Sequence, residues 1–204
     1  MPTESSNSAR LEAFSDGVFA IAVTLLVLDL KVPSLNADAI TDSQLRELLL
    51  RQWPAYLGFL SSFLTILIIW VNHHYLFKLI HRTDRAFMYL NGLLLLLVTF
   101  IPFPTSLLSR YILSEAAPTV AFIYSGTYLL LAIAFNLLWF SALQRGLVND
   151  HGAKRVNFSG IRKGYLIGPL LYGMATVLAL FFPIASVTVC IALALYFAML
   201  YYES

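Results

Sequence analysis

Six long apolar stretches alternate with short polar segments, near residues 11–31, 53–77, 86–109, 119–144, 163–182 and 184–202. Each is long enough, as a helix, to cross about 30 Å of hydrocarbon. The pattern predicts an all-α, polytopic membrane protein with six transmembrane helices in a single domain over 1–204. Residues 1–9 are polar and read as a disordered tail. Between the first two stretches, Thr41 with Gln44 forms a capping-box pattern. Leu45, Leu48 and Leu49 share a face behind it, which predicts a short interfacial helix. Pro54 suits a first helical turn. Pro102 and Pro104 lie inside an apolar run and predict a bend. Ser125, Gly126 and Thr127 are small enough for close helix contact. The turn at Phe181-Phe182-Pro183 is so short that the fifth and sixth helices must be antiparallel neighbours.

The first stretch carries the most information. Wound at about 100° per residue with Ile21 at zero, Leu25 falls roughly 40° to one side and Leu28 roughly 20° to the other. Phe14, Gly17 and Thr24 share that sector. Asp16 points roughly 140° away, and Ser15 roughly 120° away in the opposite sense. One face is therefore a ladder of branched apolar groups with a threonine, and the polar pair faces elsewhere. Such a ladder can face lipid, a packed core or a pore, and its spacing does not choose among them.

Composition agrees with membrane insertion. Of 204 residues, 59% are hydrophobic and 12% charged, too apolar a balance for a soluble domain of this size. The first apolar stretch runs into Asp29-Leu30-Lys31 rather than a small-residue cleavage site, so no cleavable signal peptide is expected. A net charge of +2 gives no argument for nucleic acid. The single cysteine, Cys190, sits in an apolar run and reads as a buried, inert thiol. With the N-terminus inside, the inside segments hold nine of the 13 basic residues: Arg10, Lys78, Arg82, Arg85, Arg145, Lys154, Arg155, Arg162 and Lys163. Lys31, Arg46, Arg51 and Arg110 fall outside. This bias places both termini in the cytoplasm.

A few polar residues lie inside the spans, where they need a partner or a role. Asp16 falls about five residues into the first helix as its apolar stretch defines it, or roughly 8 Å along it. It reads either as an interfacial acid favoured by the helix N-terminus or as part of a buried network. Topology supports the network: Asp16, His73, His74 and Asn91 all fall near the inside ends of their helices. Trp70, His73 and His74 share one face at i, i+3 and i+4. Ser15 and Trp70 complete the set, with Arg10 an associated group at the mouth. The spacing does not decide which histidine joins. Adjacent histidines chelate a metal poorly, since their rings diverge by about 100°, and no serine or cysteine stands in a catalytic motif. Neither a metal site nor an enzyme is expected.

Arg10-x-x-x-Phe14-Ser15-Asp16 at the start of a first membrane helix resembles the signature of the transmembrane protein 175 family of lysosomal and bacterial potassium channels. The similarity continues in register through Ile21, Thr24 and Leu28. It extends to Trp70, His73-His74 and Asn91 and, by length and helix number, to almost the whole chain. The resemblance implies a homotetramer around the first helix, with Ile21, Leu25 and Leu28 as apolar pore constrictions and Thr24 as a hydroxyl ring. It implies potassium as the permeant ion, no cofactor, a bacterial plasma membrane location, and a network of Arg10, Ser15, Asp16, Trp70, His73, His74 and Asn91 tying helices together behind the pore. Larger members carry the six-helix unit twice, and this chain has one Phe-Ser-Asp motif. The backbone-carbonyl filter sequence Thr-Val-Gly-Tyr-Gly is absent. The rival expectation is a proton-coupled transporter with Asp16 and His73 as its relay, although no inverted repeat is visible.

Overall fold

The structure, a computed structural model, describes residues 4–33, 40–148 and 158–200, with side chains described for 8–33, 40–148 and 167–197. Among the described residues the chain is helical, apart from an isolated antiparallel bridge between Ile80 and Val148. Helix α1 (Glu4–Leu25) passes into a 3-10 turn, Leu26–Asp29. The others are α2 (Asp42–Arg51), α3 (Trp53–Leu79), α4 (Arg85–Phe100), α5 (Pro102–Tyr111), α6 (Ala117–Gln144), α7 (Phe158–Leu178) and α8 (Pro183–Leu200).

By length and composition four segments can cross a membrane: Ser8–Asp29, Trp53–Leu79, Arg85–Tyr111 and Ala117–Gln144. Helices α7 and α8 contribute the shorter apolar segments Ile167–Leu178 and Pro183–Phe197. Residues 149–157, with Lys154 and Arg155 of the inside-facing basic set, lie outside the described residues.

Two boundaries differ from the sequence reading. Helix α1 begins at Glu4 rather than near residue 11, and Ser8 is already buried. Hydropathy marks where the membrane starts, whereas the helix continues below it because no glycine or proline interrupts residues 3–16. At the other end the α-helix stops at Leu25, and the 3-10 turn closes with Leu30 N–H on the Val27 carbonyl at 3.1 Å.

The third apolar stretch is interrupted at Ile101, as its prolines predict. Pro102 and Pro104 have no N–H to donate. Thr105 compensates, returning both its N–H (3.2 Å) and its hydroxyl (2.8 Å) to the Ile101 carbonyl. Helix α2 carries the full capping box, Thr41 N–H to Gln44 Oε1 at 3.0 Å and Gln44 N–H to Thr41 Oγ1 at 3.4 Å. Its leucines are left largely uncovered, as suits an interfacial helix.

Helix α6 is the central pillar, packed against α4, α5, α7 and α8. Close approach to α7 runs over Gly126, where an added Cβ would meet Thr176 Cγ2 at 3.8 Å. Tyr124 and Tyr128 lie buried on α6 and join a hydroxyl cluster with Ser61 and Ser62 of α3 and Thr105 of α5. Buried hydroxyls stay satisfied this way. Helix α1 packs on α3 and α4, at the edge of the bundle away from α7 and α8. Cys190 is buried on α8.

Candidate functional site

Helix α1 has two opposed faces. Ser15, Phe19, Ala22 and Leu26 recur at four, three and four residues and are all buried, α1 against α3 and α4 and the 3-10 turn against α3 and α5. On the other side Phe14, Gly17, Ile21, Thr24, Leu25 and Leu28 are exposed, Ile21 at 59% and Leu28 at 69%. A packed-core role for the ladder is thereby removed within one subunit. Thr24 donates its hydroxyl proton back to the Ile21 carbonyl at 2.8 Å. Its oxygen lone pairs are then free to face outward beside the apolar side chains.

Polar links hold the buried side of α1. Ser15 Oγ donates to the Leu11 carbonyl at 2.8 Å, so it can accept from Asn91 Nδ2 at 2.9 Å. This orients the Asn91 carboxamide and presents Oδ1 to His73 Nε2, which donates at 2.8 Å. Neutral His73 therefore carries its proton on Nε2. All three residues are fully buried. The His73 ring lies on Phe77 at 4.4 Å and against the edge of Phe19 at 5.3 Å, so its position is fixed by packing as well. His73, and not His74, is the histidine that joins Ser15 and Asn91.

A second set of links lies beside the first. Trp70 Nε1 donates to Asp16 Oδ1 at 2.8 Å, and His74 Nδ1 meets Glu12 Oε1 at 2.8 Å. The Trp70 and His74 rings stack at 6.1 Å. Glu12 and Asp16 are four apart on α1, and Trp70 and His74 four apart on α3, so the antiparallel helices match turn for turn. Sequence reasoning missed Glu12. The signal was its i, i+4 relation to Asp16, which puts both acids on one stripe.

Asp16 lies twelve residues after Glu4, more than three turns into α1. A helix dipole acts within about the first turn, so its favourable partner is Trp70 rather than the helix end. Arg10 is exposed and stands apart from these links, beside a cleft also lined by Phe14, Asp84, Arg85 and Tyr89. Asp84 caps α4 by accepting from Phe87 N–H at 2.8 Å and pairs with Arg145 at 2.8 Å. The Phe87 N–H first, and Arg145 after it, hold its carboxyl below the usual range. Among the described residues no three His, Cys, Asp or Glu gather as metal ligands.

Residues 10–102, which include every residue that links α1 to α3 and α4 by hydrogen bonds, match the family model described as endosomal/lysosomal potassium channel TMEM175. A potassium channel of Chamaesiphon minutus is 49% identical over 196 residues, covering 96% of each chain. One of Streptomyces collinus is 42% identical over 182 residues, covering 85% of each. The crystal structure of a lysosomal potassium-selective channel TMEM175 homolog from Chamaesiphon minutus superposes with a TM-score of 0.83 at 48% identity, over 95% of this chain and 97% of that one. With nearly full-length likeness in both sequence and fold, this chain is an integral membrane protein that belongs to the TMEM175 family of channels.

Proposed function

We propose that the protein is a potassium-permeable, leak-type cation channel, assembled as a homotetramer with α1 of each subunit at the axis. The observation that carries this reading is the two-faced first helix. One side is tied to its own bundle by the hydrogen bonds that Ser15 and Asp16 accept from Asn91 and Trp70, and the other leaves Ile21, Thr24, Leu25 and Leu28 uncovered. Several copies are needed to enclose a pore with that face. Ile21, nearest the cytoplasm, Leu25 and Leu28 are then stacked apolar rings that close by dewetting. Thr24 supplies a ring of hydroxyl oxygens between them, able to meet a partly dehydrated potassium ion. Six spans, with both termini in the cytoplasm of a bacterium, fit the distribution of basic residues. No cofactor enters this mechanism.

The geometry gives a proton-coupled transporter less support. Asp16 is engaged by Trp70 and His73 by Asn91, so the proposed relay pair binds different partners. Flux from potassium-loaded liposomes diluted into sodium separates the two readings. Rapid flux driven by the potassium gradient alone is the expected result. No flux until a proton gradient is imposed would overturn the channel reading and make Asp16 the residue to test.

A further inference from the structure

A lateral crevice of about 100 Å³ opens between α3, α6, α7 and α8. Its walls are apolar along most of their length, including Ile68 and Ile69 of α3, Leu131 and Phe135 of α6, and Phe197 of α8. Gly168 of α7 also lines it, with the Phe197 ring packed 3.5 Å from where a Cβ on that glycine would stand. The crevice is polar at one end. Asn72 and Asn136 line it, and each is the lining residue nearest the end of its helix that faces the N-terminal side of the membrane.

Depth follows from helix geometry. Asn72 lies about 9 Å from the middle of α3, and Asn136 about 8 Å from the middle of α6. Both sit within a hydrocarbon slab of half-thickness about 15 Å. Among the described residues no group hydrogen-bonds the Asn72 carboxamide, a costly state at that depth. The occupant must therefore be apolar deep in the slab and carry a hydrogen-bond acceptor toward the surface. A phospholipid has that polarity, its ester carbonyl lying above its chain at the slab edge, and it reaches Asn72 when the lipid sits about 6 Å deeper in the crevice than in the surrounding leaflet. The location fits as well: α7 and α8 pack on α6, away from α1, so in the proposed tetramer this side faces the bilayer rather than the pore.

We propose that the crevice is a lipid site, in which one acyl chain of a cytoplasmic-leaflet phospholipid inserts between α3, α6, α7 and α8 and the Asn72 carboxamide donates to its ester carbonyl. The leaflet assignment rests on the orientation proposed above. Helix α3 is the shared wall. Thr65, Ile68, Ile69 and Asn72 face the crevice, while Trp70, His73 and His74 hold α1. A chain in the crevice thus props the helix that anchors the pore face.

The test is photolabelling of the full chain in phosphatidylcholine liposomes carrying a phosphatidylcholine with a mid-chain diazirine, mapped by mass spectrometry. Adducts are expected on residues 68–72 and 131–136. Ala132→Trp, which fills the crevice, should lower them at least about fivefold while adducts at the outward-facing Leu130 and Leu137 stay constant. Asn72→Leu tests the ester contact if the tryptophan variant does not assemble, with a loss of about two- to threefold expected. Crevice labelling no higher than at Leu130 and Leu137, or unchanged by the substitution tested, would overturn the site. Potassium flux in the same liposomes is read separately: its absence with crevice adducts intact removes the channel reading and leaves the lipid site standing.

Discussion

Asn91 is the residue whose loss should cost the fold most for the fewest atoms removed. It is fully buried, donates to Ser15 of α1 at 2.9 Å and accepts from His73 of α3 at 2.8 Å. Asn91→Ala removes two interhelical hydrogen bonds, each worth about 0.6 and at most about 1.7 kcal/mol between membrane helices. It also strands the His73 Nε2–H where no water reaches, at a cost of about 1–3 kcal/mol. The total is about 2–4 kcal/mol, roughly a 30- to 1,000-fold shift in the folding equilibrium. A denaturant titration of the purified protein, followed by circular dichroism, reads that shift. The cycle with Ser15→Ala isolates one bond, and a coupling of about 0.6–1.7 kcal/mol is expected. If Asn91→Ala is as stable as the parent, or the two substitutions simply add, the network does not hold α1 and its geometry is incidental.

Glu12→Ala should cost under about 1 kcal/mol in the same titration, because the His74 and Glu12 side chains are 40% and 26% exposed and water screens the pair; a loss matching that of Asn91→Ala would mean that the outer link carries the helix contact. Asp84→Ala should cost about 1 kcal/mol as a lost helix cap, while Asp84→Asn keeps the cap and loses only the Arg145 pair. Since the Asp84 carboxyl is held below its ordinary value, its contribution is complete above the usual aspartate pKa and disappears only as pH falls through the depressed one. A titration repeated from pH 6 to pH 3 checks that direction, and a contribution lost already near pH 6 would contradict it. If Ile21 forms the narrow ring of the proposed pore, Ile21→Asn hydrates it and raises potassium flux, and a folded variant with unchanged flux would remove Ile21 as that point.

Periodicity and residue chemistry carried the helices and both faces of α1. Angles on a helical wheel separated the ladder from Ser15 and Asp16, but which face is buried came only with the packing of α1 on α3 and α4; Pro102 with Pro104 marked the interruption at Ile101. Topology put Asp16, the histidines and Asn91 at one depth. It could not divide the links into Ser15–Asn91–His73 and the pairs Asp16–Trp70 and Glu12–His74, because that depends on how α3 is rotated between α1 and α4. Adjacent histidines differ by about 100° around a helix, enough to send one to each neighbour. Glu12 stayed hidden because an acid near a helix start needs no partner to explain it.

The passage from α-helix to 3-10 turn at Leu25 alters the ladder in a way residue spacing could not reveal. On a continuous α-helix Leu28 would lie about 60° around from Leu25 and about 4.5 Å along. In a 3-10 turn residues i and i+3 eclipse, with a rise of about 6 Å over three residues. Leu28 is thereby brought over Leu25, while Leu26 between them remains fully buried. In the proposed pore this converts two staggered leucines into one aligned wall. Poorer 3-10 hydrogen-bond geometry also leaves the outer half of the ladder less rigid than Ile21, which sits on α-helix fixed through Ser15 and Asp16. A dewetting constriction depends on a narrow ring that does not yield, so Ile21 should set the conductance and Leu28 should matter less. Ile21→Asn is then expected to raise flux more than Leu28→Asn in parallel liposome assays, and the reverse order would move the narrow point to the 3-10 turn.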